Sequence, residues 1–499
     1  TGEVYLTGQK SSDISIEIIN ELSKFKPIEI LFNDKMLSLK SVCTFIKNKL
    51  NCTTEIIDEF SNNHNFKVED NDIAQKALSG LINYLNTTQE NGARRLKNIN
   101  FYKDNQYMGI DVTAKRNLEL TERNGEKYAT LLWVLDKTKT AMGKRYIRQA
   151  VELPLLSLPE ITRRQSAVTE FVNDINLSDE INKCLSGIYD MERLMTRVIY
   201  NTVNPREVKS LGFTLQKLPN LKYLLKDCKC KYLQNINDDI HTLEEVCNLI
   251  ENSIVDEPST LLKDGNIIKQ GFNSDLDELR ELCNNSKKII TQVEEKEREK
   301  SGIKNLKIGY NRVFGYYIEI TKSNYEMVPE SYIRKQTLTN CERYITQELK
   351  DIEGKILSAS DKILALESEI FNEIKKYIAN FTDEIQKTAI SIAKLDFILS
   401  LATVARENNY VCPTIKVDGE ISIKDGRHPV VEKVLSDAMF VPNDTRIDIS
   451  SNRMIIITGP NMAGKSTYMR QVAIITVMAQ IGSFVPASSA DISICDKIF

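Results

Sequence analysis

This 499-residue sequence has little that could hold a metal and nothing that marks an oxidising compartment. Its three histidines, His64, His241 and His428, stand apart, and its ten cysteines run from Cys43 to Cys495 without a single Cys-x-x-Cys. Zinc-site spacing is therefore absent, and the cysteines read as reduced, packed thiols of a cytosolic protein. No signal peptide is expected. No apolar run reaches the ~18 residues that a membrane-spanning helix needs, so no membrane is expected among the partners. An excess of either charge is missing too. With 66 Lys and Arg against 69 Asp and Glu, the net charge is −3, no global basic field exists, and any surface for nucleic acid must be local.

Helix breakers are missing where it matters. Residues 355–412 contain neither glycine nor proline. Within them Ile363, Leu366, Ile370, Ile374 and Ile378 recur every three or four positions, one face of a helix. Forty such residues at ~1.5 Å each make a rod of about 60 Å. Leu276, Leu279, Cys283, Ile290 and Val293 predict a second long helix over about 276–300, so one rod runs out and another returns from about 348. Residues 113–286 are helical in pattern throughout. Residues 1–112 mix strand-like Val4-Tyr5-Leu6, Ile28-Glu29-Ile30-Leu31 and Tyr107-Met108-Gly109-Ile110 with helical spacing over 14–25 and 72–85, a small α/β region.

Between the two rods the period changes to two. Residues 306–310 and 316–320 alternate as strands, joined by Asn311-Arg312-Val313-Phe314-Gly315. Residues 301–350 hold eight Lys or Arg against five Glu inside a chain that is otherwise acidic. A basic β-rich tip on long arms suits contact with a phosphate backbone, because that contact depends on where the charge sits. Lys304, Lys307, Arg312, Arg334 and Lys335 are the candidates for DNA binding. Tyr310, Tyr316 and Tyr317 read as half-buried packing rather than base contacts.

The strongest signal lies near the end of the chain. Gly459, Pro460, Asn461, Met462, Ala463, Gly464, Lys465, Ser466 and Thr467 match G-x-x-x-x-G-K-[ST], the phosphate-binding loop. Apolar residues 454–457 predict a buried parallel strand before it, and 466–478 predict a helix after it. Glycine lets the backbone approach phosphate, and the helix N-terminus adds its positive dipole end. Lys465 suits the β- and γ-phosphates as the catalytic cation, Ser466 suits Mg²⁺, and Thr467 suits the α-phosphate. The expected cofactors are ATP and Mg²⁺. Such a domain needs further strands and a carboxylate for Mg²⁺, so the chain reads as an internal piece of a longer protein.

With these features in hand, the sequence closely resembles the MutS family of DNA mismatch-repair ATPases. The extended run Ile457-Thr458-Gly459-Pro460-Asn461-Met462-Ala463-Gly464-Lys465-Ser466-Thr467-Tyr468-Met469-Arg470-Gln471 carries the resemblance. Asp425-Gly426-Arg427-His428-Pro429, Val313-Phe314-Gly315-Tyr316-Tyr317-Ile318-Glu319, Arg334-Lys335-Gln336-Thr337-Leu338, Thr140-Ala141-Met142-Gly143 and Asn204-Pro205-Arg206 support it. The resemblance implies a multidomain α+β chain. An α/β connector would span 1–112, and a helical lever domain 113–286 and 350–410. A β-rich DNA-contacting clamp would be inserted between two long helices at 287–349, and a P-loop ATPase domain would begin at 411–499.

It further implies that Phe440 packs on adenine, while His428 reads as a structural hydrogen-bonding residue. The implied partners are double-stranded DNA with mismatches or small loops, a second copy in a homodimer, and a downstream factor of the MutL type. The location would be the bacterial cytoplasm, at the nucleoid. The family's Phe-x-Glu reading wedge and its Mg²⁺-binding Asp-Glu pair are not in this sequence, so the chain alone is expected not to hydrolyse ATP. A MutS paralogue acting on recombination or ribosomes is the main alternative, and the 1–112 region and the Val313–Glu319 motif argue against it. In a coiled-coil chromosome-tethering ATPase the phosphate loop comes before the arms, whereas here the arms come first. A transporter-type ATPase fits the long arms poorly.

Overall fold

A computed structural model describes the chain apart from residues 1–2, 9–13, 26, 51, 58–71, 89–95, 97, 102–105, 312–314, 436–438 and 462. Its strands are β1 (Glu3–Leu6), β2 (Glu29–Phe32), β3 (Thr53–Ile56), β4 (Asn98–Phe101), β5 (Gly109–Ile110), β6 (Lys307–Asn311), β7 (Gly315–Thr321), β8 (Ile333–Thr337), β9 (Cys341–Ile345), β10 (Thr414–Lys416), β11 (Ile421–Gly426), β12 (Asn443–Ile447), β13 (Ser489–Ser493) and β14 (Lys497–Ile498). Helices connect them, and the chain divides into two compact units. One comprises Thr1–Glu192, Leu218–His241 and Lys387–Phe499; the other comprises Arg193–Lys217 and Thr242–Gln386.

In the first unit, the N-terminal residues form two parallel strand pairs, β1 with β4 and β2 with β3. Parallel neighbours need a crossover, and helices supply it. Leu78 and Ile82 of the Asp72–Thr88 helix bury against Val4 of β1. Val42 and Ile46 of the Lys40–Lys49 helix close over Ile30, with Ile18, Ile19 and Leu22 of the Ile14–Phe25 helix beside them. The helices and strands read from the sequence in this region are present, but β5 pairs with β14 rather than with β1 to β4.

The middle of this unit is organised by one buried carboxylate. Asp396, 1% exposed, lies on the Thr382–Glu407 helix and faces the start of the Ala141–Glu152 helix. It accepts hydrogen bonds from Lys139 N (2.9 Å), Thr140 N (2.7 Å) and Thr140 Oγ1 (2.7 Å). Thr140 Oγ1 in turn accepts from Gly143 N at 2.9 Å, the N-cap bond of that helix. Gly143 has to be glycine, since a Cβ there would lie 2.1 Å from the Asp396 carboxylate. One turn along, Ser400 Oγ accepts from Lys137 N and donates to Leu135 O, both at 2.7 Å. These contacts give the Thr140-Ala141-Met142-Gly143 motif a packing reason.

Thr382–Glu407 is also long and apolar enough to cross a membrane, contrary to the reading from uninterrupted runs, but 83% of its most apolar window is buried inside the protein. It is a core helix. The stretch 355–412, free of glycine and proline, is spanned by two helices, Gln347–Ala379 and Thr382–Glu407. They are separated where Asn380 N and Phe381 N turn back to Tyr377 O and Ile378 O. Tightened hydrogen bonds of this kind end a helix without glycine or proline.

The last sheet of this unit has the order β10-β13-β11-β12. β10 and β13 are parallel, and the other pairs are antiparallel. The Lys465–Gln480 helix is buried along its second half through Ile474, Ile475, Val477 and Met478. Its end is closed by Gly482 in the left-handed conformation (φ +88), with Ser483 N bonded to Met478 O at 2.9 Å. The buried Arg164 adds a cation at that terminus, donating to Ile481 O at 3.1 Å while its guanidinium lies 5.3 Å from the Phe397 ring.

The second unit carries two long arms. Ser274–Ser301 begins at Asn273, whose side chain accepts from Leu276 N at 2.9 Å, and stops at left-handed Gly302. Gln347–Ala379 begins at Thr346, which accepts from Leu349 N at 3.2 Å. Buried Glu367 takes Arg280 at 2.7 Å to join them. Between the arms sits an antiparallel sheet of order β6-β7-β9-β8 over a core of Ile303, Leu306, Ile318, Ile320, Tyr332, Tyr344 and Leu349. The β-rich insertion between two long helices is as the sequence pattern requires.

Replacing Gly143 with Ala is expected to cost about 1–3 kcal/mol of stability, the usual range for overpacking a tight site. Urea unfolding of the variant measures it, and a loss below about 0.5 kcal/mol, the level of a neutral surface change, would show that the Asp396 contact can relax freely.

Candidate functional site: a phosphate loop and a basic sheet

The phosphate loop opens between two glycines with special backbone. Gly459 has φ +149, and Gly464 has φ +83 at the N-cap of the Lys465–Gln480 helix. A Cβ at Gly464 would meet nothing within 4 Å, and one at Gly459 would touch only the Lys465 stem at 4.0 Å. The space before the loop is thus open to a ligand, and Gly459, Pro460, Asn461, Ala463, Gly464 and Ser466 are exposed around it. Met462 lies outside the described residues. Lys465 Nζ turns inward to Gly459 O (2.5 Å) and Pro460 O (2.7 Å), holding the loop closed on itself. Ser466 and Thr467 follow in the first helical turn, where free N–H groups and the dipole favour an anion. These residues fit a polyphosphate. Among the described residues no cluster of His, Cys, Asp and Glu could hold a metal alone, so a Mg²⁺ ion here would depend on the Ser466 hydroxyl and on phosphate oxygens.

The strand expected over 454–457 is not formed. Met454 and Ile456 are 77% and 78% exposed, and residues 452–460 belong to no ladder. A strand requires a hydrogen-bonded neighbour, and none of the described strands pairs with it. The helix expected over 466–478 does form, as Lys465–Gln480.

Beside the loop, two links escaped the sequence reading. The hydroxyl of Tyr468 accepts from Thr445 Oγ1 at 2.9 Å and donates to Asp444 O at 3.2 Å, tying the first helical turn to β12. Gln471, 0% exposed, lies against the end of β11, where a Cβ on Gly426 would be 2.7 Å from its Nε2. Neither has a local sequence signal, since both side chains meet residues more than twenty positions earlier. Phe440 is half-buried, just ahead of β12.

The segment around His428 is structural. Arg427 bonds its guanidinium to Asn408 O (3.1 Å) and pairs with Glu432 (2.9 Å). His428 is buried and caps the Pro429–Val434 helix through Nδ1, which accepts from Val431 N at 3.4 Å. Burial first, and then the nearby Arg470 charge, lower its pKa from 6.5 to about 4, so the ring is neutral at physiological pH.

In the second unit, the DNA candidates occupy both edges of the sheet. Lys304 sits exposed in the turn after the outgoing arm, and Lys307 opens edge strand β6. On the opposite edge strand β8, the register jumps between Arg334 and Gln336, so Lys335 is the extra residue of a bulge and stands exposed. Arg334 is partly committed to Glu342 at 3.3 Å. Arg312 lies outside the described residues, but its hairpin neighbour Gly315 (φ +76) abuts Glu353 of the returning arm. Gly315 therefore lies beside the returning arm, and the turn between β8 and β9 lies at the opposite end of β7. Arg343, unselected from the sequence, is internal: it stacks 4.1 Å from the Tyr317 ring and bonds Glu319 and Gln336.

Comparison with known proteins decides the family. The family model for MutS domain III matches residues 113–402, and that for MutS domain V matches residues 455–499. The chain belongs to the MutS family. A protein of Clostridium botulinum (strain Langeland) named "DNA mismatch repair protein MutS" is 47% identical over 97% of this chain and 53% of its own length. One of the same name from Alkaliphilus oremlandii is 46% identical over the whole chain and 59% of its own length. The chain thus spans about half the length of the curated relatives it matches. The MutS domain III match takes in both arms and the four-stranded sheet between them, and the MutS domain V match begins at the exposed run and includes the whole phosphate loop.

The His428 cap carries a pH dependence. Its native pKa of about 4 lies below the value of about 6.5 for an unfolded chain, so on acidification the unfolded state takes up the proton first. The stabilising contribution is complete above about pH 6.5 and drains away as pH falls to about 4, on the order of 2–3 kcal/mol. His428→Asn retains a capping acceptor that does not titrate. Thermal unfolding from pH 7 to 4.5 is expected to fall less steeply for this variant, and identical slopes would mean that the ring protonates normally in the folded chain.

Proposed function

We propose that this chain works in DNA mismatch repair, as the connector, lever, clamp and phosphate-loop parts of an ATP-dependent protein that holds mismatched double-stranded DNA. The observation that carries this is a phosphate loop fitted to a polyphosphate within a chain of the MutS family. On this reading residues 1–112 are the connector, 113–286 and 350–410 the levers, 287–349 the clamp and 411–499 the beginning of the ATPase domain. The protein acts as a homodimer in the bacterial cytoplasm and hands on to a factor of the MutL type.

ATP supplies the free energy for altering the grip on DNA. For this chain's part, Gly459 and Gly464 give the backbone its curvature, and Lys465 exchanges its two carbonyl partners for the β- and γ-phosphates. Ser466 offers its hydroxyl to Mg²⁺, Thr467 holds the α-phosphate, and Phe440 packs on the adenine ring. In the clamp, Lys304, Lys307, Arg312, Arg334 and Lys335 meet the DNA backbone. Those contacts position the duplex and carry no base information.

Two measurements on the whole protein test this. Lys465→Ala is expected to abolish ATP hydrolysis and ATP-driven release from DNA without loss of fold, and hydrolysis at the parent rate would remove Lys465 from its role. Single Ala substitutions of Lys304, Lys307, Arg334 and Lys335 are expected to weaken matched and mismatched DNA by similar factors. Wherever the substituted side chain neutralises a phosphate, its removal flattens the slope of log affinity against log salt by about one unit. Lys335, exposed on its bulge, should show this more fully than Arg334, which Glu342 already holds. If none of the four moves the slope, the sheet is a spacer and DNA is held elsewhere.

A further inference from the structure

The nucleotide reading leaves open how one site fixes both ends of its ligand. A nucleoside triphosphate has a set length, so the phosphate loop and the base-stacking ring must be held at a matching separation, within about 0.5 Å. These two elements lie far apart in sequence order: Phe440 precedes β12, whereas the loop follows the exposed segment 453–458. That segment belongs to no ladder among the described strands.

We infer that Tyr468 is a positioning residue that sets this separation, and so governs how far the site favours an adenine nucleotide over a bare polyphosphate. This rests on the nucleotide reading above. Tyr468 lies three residues beyond Lys465, and its hydroxyl is engaged twice by β12, accepting from Thr445 Oγ1 and donating to Asp444 O. Thr445 is buried and pairs with Ile423 of β11 in the sheet. Asp444 is fixed from the other side, its Oδ1 accepting from Asp425 N at 2.8 Å. Just before Asp444, Asn443 Nδ2 donates to Val441 O at 3.0 Å. Phe440 is the residue before Val441. Loop, helix turn, β12 and ring therefore lie along one path, in which a phenolic hydroxyl links helix and strand.

A second contact fixes the helix. Gln471, three residues further along and fully buried, fills the space over Gly426 that any side chain there would need. The Gln471 amide makes no hydrogen bond of its own, so this contact is one of packing, and the Tyr468 hydroxyl supplies the hydrogen bonds between this helix turn and β12. An aromatic ring alone would serve as packing. Two hydrogen bonds to neighbouring residues of one strand go further and define a distance.

The test compares ligands with and without the base. In the whole protein, Tyr468→Phe removes the hydroxyl and keeps the ring, and Thr445→Val removes its donor at similar volume. Titration calorimetry with MgATP and with magnesium tripolyphosphate gives both affinities. Each variant is expected to bind MgATP about five- to tenfold more weakly, the worth of about one hydrogen bond, with tripolyphosphate changed by less than about twofold. The double variant should be little worse than either single one, since both break the same link. An equal loss for the two ligands would mark Tyr468 as merely structural, and unchanged MgATP affinity would also overturn the inference. A parent protein that binds neither ligand would instead remove the nucleotide reading on which the inference stands.

Discussion

The first unit depends on a carboxylate buried where two helices meet. Asp396 and the Lys139–Thr140 backbone are more than 250 residues apart in sequence, yet their hydrogen bonds start one helix and fix the other against it. Burial, with a smaller push from the Asp136 charge, raises the pKa of Asp396, and the bonds from Thr140 and Lys139 offset only part of that rise. An ionised group in such a place is tolerated only when donors surround it, and the N-terminus of the Ala141–Glu152 helix provides them. Gly143 is the steric counterpart, because the carboxylate occupies the position its side chain would take. Residues that look like a family signature are thus explained locally, by one charge and the space it needs.

The second unit uses the same device with more partners. Glu367 is met by Arg280, Glu297 by the Tyr332 hydroxyl at 2.6 Å, and Glu294 by Ile308 N at 2.9 Å. Arg298 donates to Leu306 O at 2.7 Å. Three of these contacts lie between the outgoing arm and the sheet, so the sheet is carried on the arm by buried or half-buried polar bonds as well as by its apolar core. The basic excess counted along residues 301–350 is correspondingly smaller as a field. Arg343 is spent on Tyr317, Glu319 and Gln336, and Arg334 leans on Glu342. Of the exposed remainder, Lys307 and Lys335 lie on the sheet's two edge strands, a more definite geometry than a charge count implies.

Helical pattern was the most legible part of this sequence. Ile14–Phe25 and the two arms follow from apolar spacing alone, because amphipathic periodicity records which face is buried. The hairpin of β6 and β7 was legible for the equivalent reason at period two. Three features were not. The break at Asn380 needs no special residue, so composition does not reveal it. The run at 454–457 has strand composition, but a strand is a property of a pair, and its ladder partner is not among the described strands. The Tyr468 hydroxyl contacts residues more than twenty positions earlier, and no local pattern records a long-range hydrogen bond. Of the candidate site, residue identities in the phosphate loop were legible from the motif. The bonds that hold the loop to the rest of the unit came only from the fold.

Those bonds make the two sides of the loop unequal. On the helix side, Ile474, Ile475, Val477 and Met478 are buried, Arg164 and Gly482 close the far end, and Tyr468 and Gln471 hold the near end to β12 and β11. On the other side, 453–458 has neither ladder nor burial to restrain it. A phosphate cradle needs its N–H groups fixed in direction, and here the fixed groups are those of the helix. Lys465 bridges the inequality: it begins the restrained helix, and its ammonium grips the carbonyls of Gly459 and Pro460 across the loop. The one ammonium therefore ties the less restrained side of the loop to the helix.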